Sequence, residues 1–135
     1  MKKYLVILVF IGATGCQKKI DVDPREQYLG RYAYTQTTDY PGPYNRSTTQ
    51  SGSVTLSLGT NTNSIRFSEN GDSREATLDG ANFHFDPSIS SITSYTFVTT
   101  SVGQFIPNGF NLTQTSIENN SKTPYSIVQL KAVKP

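Results

Sequence analysis

From Tyr28 onward, apolar and polar residues alternate in short runs, and no stretch sustains the roughly 3.6-residue period of an amphipathic helix. Val54, Leu56 and Leu58 alternate with Thr55 and Ser57, and Ile65 and Phe67 alternate with Arg66 and Ser68. Such runs recur about every ten residues between Gly, Pro, Asn and Asp clusters, the pattern of an all-β chain. Eight strands are predicted, at 28–38, 47–59, 63–69, 73–79, 81–86, 92–105, 108–117 and 123–133. Consecutive short strands joined by tight turns predict an antiparallel up-and-down meander. Closing it into a barrel removes its exposed edges. A β-sandwich is the alternative fold, and direct pairing of the first and last strands would separate the two. The opposite faces of these strands carry Ser, Thr and charge instead of the apolar band of a transmembrane barrel.

The centre of the chain allows registers to be predicted. A two-residue turn at Asn70-Gly71 would set Phe67 opposite Arg74. A four-residue loop, Asn70 to Ser73, would instead set Ile65 opposite Leu78, Phe67 opposite Ala76 and Glu69 opposite Arg74. Like-with-like pairing favours the longer loop. A turn at Asp79-Gly80 would pair Ala76 with Phe83 and Leu78 with Ala81, leaving Glu75 beside His84 on the polar face. That couple has no nucleophile or third group assigned to it, so it reads as a solvated cross-strand pair. Pro107-Asn108-Gly109 marks a further hairpin.

The first fifteen residues follow a different pattern. Lys2 and Lys3 precede an unbroken apolar run, Leu5 to Ile11, and Gly12, Ala13, Thr14 and Gly15 supply a small-residue exit. This is the layout of a secretory signal peptide, and the run is about half the roughly 20 residues of a membrane span. Without Lys2 and Lys3, ten basic residues balance ten acidic ones. The remaining chain is then near neutral and has no basic cluster for nucleic acid.

Cys16 is the single cysteine and His84 the single histidine. One thiol makes no internal disulfide, lacks a neighbouring base for nucleophilic work, and with one histidine falls short of a metal site. Ala13-Thr14-Gly15-Cys16 resembles the lipobox of bacterial lipoproteins, with Ala13 where leucine is commonest. The resemblance implies cleavage before Cys16, a diacylglycerol on its thiol, and an added acyl chain such as palmitate on the new N-terminus. The chain then divides into a signal peptide over 1–15, a lipidated tether over 16–27 and an all-β domain over 28–135. The absence of Asp after Cys16 implies outer-membrane anchoring. Lys18 and Lys19, in place of an acidic run, favour the periplasmic face over cell-surface display.

Tyr28-Leu29-Gly30-Arg31-Tyr32 resembles the Gly-x-Trp start of lipocalin-like domains, with Tyr32 in place of tryptophan and Lys131 as the basic partner for its ring. Five of the eight tyrosines fall between positions 28 and 44. Tyr32, Tyr34, Tyr40 and Tyr44 are the candidate ligand-binding residues, tyrosine joining an apolar face to a hydroxyl. Barrel packing is the favoured explanation of Tyr28, Tyr32 and Tyr34, with Tyr40 and Tyr44 capping an end. If a ligand site exists, the mouth near Tyr40 and Tyr44 is the expected place for it. The sequons at Asn45, Asn111 and Asn119 are ascribed to composition. No phosphate loop, metal spacing or catalytic triad stands out, so no cofactor, metal or enzymatic activity is expected. The expected function is a lipid-anchored envelope lipoprotein that binds a small apolar or amphipathic ligand or a partner protein. The alternative is a structural or assembly lipoprotein with a filled core.

Overall fold

The computed structural model describes residues 22–42 and 45–135. Eight strands, β1 (Gly30–Tyr40), β2 (Arg46–Leu58), β3 (Ser64–Glu69), β4 (Asp72–Asp79), β5 (Asn82–Ile92), β6 (Tyr95–Ile106), β7 (Gly109–Glu118) and β8 (Pro124–Val133), form a closed antiparallel barrel in sequence order. The β1–β8 ladder runs from Ala33↔Val133 to Asp39↔Ile127 and closes the meander, which excludes the sandwich. This is the eight-stranded up-and-down barrel the alternation predicts, consistent with the lipocalin-like architecture that the resemblance implies.

The chain enters and leaves at one end of the barrel. A 3-10 turn, Glu26–Tyr28, caps that end, and the Tyr28 ring stacks on Phe105 with centroids 4.0 Å apart. Residues 23–27, counted in the tether from sequence, lie against the barrel here. The Arg25 guanidinium binds the Asp23 carboxylate at 2.6 Å and donates to the Asn61 and Ser64 carbonyls. Arg25 holds the Asp23 carboxyl down at about 2.

Alternation then sends one row of each strand inward. In the closed half these are Tyr32, Leu56, Ile65, Phe67, Ala76, Phe83, Phe105, Phe110 and Ala132, a continuous core rich in aromatics. Phe110 is wholly buried and meets Tyr32, Phe67, Phe83 and Phe105 at centroid distances of 5.3 to 5.8 Å.

Two predicted registers are corrected. Phe67 pairs with Arg74 and Glu69 with Asp72, around a two-residue turn at Asn70-Gly71. Both turn residues have positive φ (50° and 91°), as a type I′ turn requires, and Asn-Gly adopts that turn readily. The mismatch this creates is relieved because the Arg74 guanidinium lies 4.8 Å above the Phe85 ring. The next hairpin turns at Gly80-Ala81 and pairs Leu78 with Phe83 and Ala76 with Phe85. Strand β5 also continues past Asp86 to Ile92, through a bulge between Phe85 and Ser88 that accommodates Pro87.

The predicted Glu75–His84 couple does not form. Thr77 stands opposite His84, and Glu75 stands opposite Arg66. The Glu75 carboxylate accepts from the Thr60 hydroxyl at 2.6 Å, Arg66 at 2.7 Å, the Thr60 amide at 3.0 Å and the Ser64 hydroxyl at 3.1 Å. These donors, Thr60 foremost and then Arg66, hold its carboxyl at about 2 against an ordinary 4.5. The stability this contributes is full above pH 4.5 and is lost as pH falls toward 2. Glu75→Gln should therefore lower the denaturation midpoint at neutral pH, and the gap to the unsubstituted protein should close on titration to pH 2. A gap independent of pH would show that the carboxylate charge is not what matters.

Candidate functional site

Above the aromatic core the interior row changes character. Gln36 and Thr38 on β1, Thr99 and Ser101 on β6, and Gln114 and Ser116 on β7 replace the rings. Thr99 and Ser116 share a hydroxyl hydrogen bond of 2.8 Å, and the Gln114 amide donates to the Ser101 hydroxyl at 3.0 Å. Short polar side chains do not fill a barrel of this width, and a cavity of about 440 Å³ remains. Val54, Phe67, Phe85, Phe110, Leu112 and Leu130 line its apolar part, and Gln36 and Gln114 its polar part. It opens over the β3–β4 turn, where Glu69, Asn70, Asp72, Ser73 and Arg74 form the lip.

Tyr34 fixes one wall. Its ring crosses Gly52 on β2, where an added Cβ would meet the hydroxyl at 2.5 Å, so any larger residue there would push the ring aside. From there the hydroxyl donates to Glu69 Oε1 on β3. The carboxylate hydrogen bond, helped by burial, pushes the phenol up to about 12. Tyr34 therefore acts as a neutral donor throughout the physiological range. The site thus combines an apolar floor, an uncharged polar belt and a charged lip, which suits an amphipathic molecule.

The candidate tyrosines do not converge. Tyr32 is buried in the closed half, where burial raises its pKa and its hydroxyl donates to the Tyr28 carbonyl at 2.8 Å. The cation near its ring is Lys134, 5.7 Å from the centroid, in place of the expected Lys131. The register explains this correction. Lys131 stands opposite Thr35 on the outward row, whereas Lys134 follows the inward Ala132 by two residues. Tyr34 is in the cavity wall. Tyr40 lies at the mouth, in a separate open cleft of about 920 Å³ with Tyr125, Arg46 and Glu118. Its ring meets Tyr125 edge-on at 5.9 Å, and Tyr125 in turn meets Phe97 at 4.7 Å. Tyr44 and Cys16 lie outside the described residues.

Sequence reasoning missed Glu69, Arg74, Leu112 and Gln114 as site residues. The one available signal was parity, because Glu69 continues the inward row of Ile65 and Phe67. Among the described residues no three His, Cys, Asp or Glu side chains cluster as metal ligands. No protein-family model matches the chain, and no curated protein matches it in sequence.

Proposed function

We propose that this protein is a non-enzymatic, lipid-anchored envelope lipoprotein whose barrel binds a small amphipathic molecule. The half-filled interior carries this reading. A core packed to both ends would leave nothing to bind, whereas here an aromatic floor meets a polar belt around about 440 Å³. The anchoring follows from the lipobox resemblance at Ala13-Thr14-Gly15-Cys16 and implies attachment to the outer membrane, facing the periplasm. The position of Val22 at the closed end supports it. Cys16 and Val22 are six residue steps apart, about 20 Å of extended chain. A lipid on Cys16 would thus hold the closed end near the membrane and leave the cavity's opening clear of it.

A cavity-filling variant tests the binding. The neutral fluorophore N-phenylnaphthylamine should brighten on adding the unsubstituted protein. Leu112→Trp, with unchanged circular dichroism, should abolish most of that gain. Equal brightening in both proteins would remove the cavity from the account. Native mass spectrometry of protein purified from its own envelope should show both the acyl chains and a retained small molecule. A partner protein is the second reading, favoured by the β5–β6 hairpin, where Ile89, Ile92 and Tyr95 are 74, 62 and 55 % exposed.

A further inference from the structure

The wall of the barrel is not equally tall all round. The β1–β2 ladder continues to Tyr40↔Arg46 and the β5–β6 ladder to Ile92↔Tyr95, but the β3–β4 hairpin between them turns back at Asn70-Gly71. Strand β2 consequently pairs with β3 only from Thr55 to Leu58, and β5 pairs with β4 only from Asn82 to Phe85. Arg46–Val54 and Asp86–Ile92 therefore border a notch, with no ladder partner on that side among the described residues.

The two edges of the notch differ. The β5 edge carries a charge at Asp86, a missing amide donor at Pro87 and a bulge, three devices that discourage strand addition. From Ser47 to Val54 the β2 edge has no charge, no proline and no break in its register with β1. Its residues are exposed from Arg46 to Gly52. Unpaired backbone amides and carbonyls along such an edge are a template for another strand.

The edge also leads into the site. Gly52 lies beneath Tyr34, and the Tyr34 hydroxyl reaches Glu69 at the top of β3. Glu69 and Asp72 face each other across the turn as like charges, and neither joins an ion pair among the described residues. Two adjacent carboxylates at the foot of a free edge are an electrostatic cost that a cation would relieve. Arg74 is stacked on Phe85.

We propose that the β2 edge binds an extended polypeptide segment by strand addition, in the lane above β3, with a positively charged N-terminal end against Glu69 and Asp72. The polarity follows from the barrel. A strand antiparallel to β2 runs the same way as β3, so its N-terminal end abuts the Asn70-Gly71 turn. One row of its side chains would face the cavity and the other solvent. Main-chain bonding dominates such recognition, so it tolerates varied sequences that are extended and largely uncharged beyond the first residue.

This deepens the binding reading above and rests on the cavity being a binding site. The probe is the amidated heptapeptide Lys-Val-Thr-Val-Thr-Val-Thr with a free amino terminus and a C-terminal fluorophore, titrated by anisotropy against the full chain. Saturable binding is expected. N-methylation at the even positions or at the odd positions, but not both, should abolish it, because alternate amides face β2. Glu69→Gln should weaken it about tenfold, as should glutamate in place of the probe's lysine. No saturation at millimolar peptide, equal binding of both N-methylated forms, or indifference to Glu69→Gln would each overturn the proposal. N-phenylnaphthylamine separates the two readings. Fluorophore binding without peptide binding defeats strand addition alone, and loss of both defeats the cavity as a site.

Discussion

Replacing Phe110 by alanine should cost about 3–5 kcal/mol, the usual range for deleting a buried aromatic ring. The ring is 0 % exposed and touches four other aromatics, each held by its own strand, so collapse into the void is restricted. Typical domains are stable by only about 5–15 kcal/mol, so the variant should be marginal or unfolded at room temperature. Thermal denaturation followed by circular dichroism should fall by on the order of 10–25 °C. Val102→Ala, at a side chain 59 % exposed, should change stability by less than about 0.5 kcal/mol. If Phe110→Ala lost less than about 1 kcal/mol, the aromatic core would not be the tight assembly described.

Cys16→Ser should have the second large effect, on location instead of folding. Each buried methylene contributes about 0.8 kcal/mol to membrane association, and two or more chains anchor a protein stably. Under the proposed anchoring, removing the thiol removes the attachment point, so the protein should stop incorporating labelled palmitate. The unprocessed precursor should accumulate in its place. The barrel, whose described residues begin at Val22, should keep its melting temperature. A mature protein with an unmodified Cys16 and unchanged fractionation would end the lipoprotein reading.

How much of this was legible in the sequence depends on the length scale. Alternation along Val54–Leu58 and Ile65–Phe67 gave the inward faces, and turn residues separated eight strands, because both are local properties. Register was less legible. Pairing like with like chose the wrong β3–β4 alignment, since the backbone preference of Asn70-Gly71 outweighed the side-chain match and Arg74 found Phe85. The same kind of error moved the cation beside Tyr32 from Lys134 to Lys131, because a face is assigned only once register is known. The cavity was not legible at all. It arises from polar side chains on β1, β6 and β7 meeting above a short β3–β4 hairpin, a coincidence among strands distant in sequence. Tyrosine density pointed to Tyr34 but equally to Tyr32, which is core.

The ladder that closes the barrel has a consequence for how the chain folds. Seven of the eight ladders join strands adjacent in sequence and can form as local hairpins, whereas Ala33↔Val133 joins residues 100 positions apart. Loop-closure entropy grows only by about 0.6 kcal/mol per doubling of length, so that last ladder is affordable once its neighbours exist. It cannot form before the last strand has emerged. Until then β1 and β7 offer bare edges, and the nascent chain would be an open, curled sheet with its phenylalanines partly exposed. Folding should therefore be governed by the arrival of β8, Pro124–Val133. Removing β8 would leave an open sheet prone to association, where the chain that includes it closes its barrel.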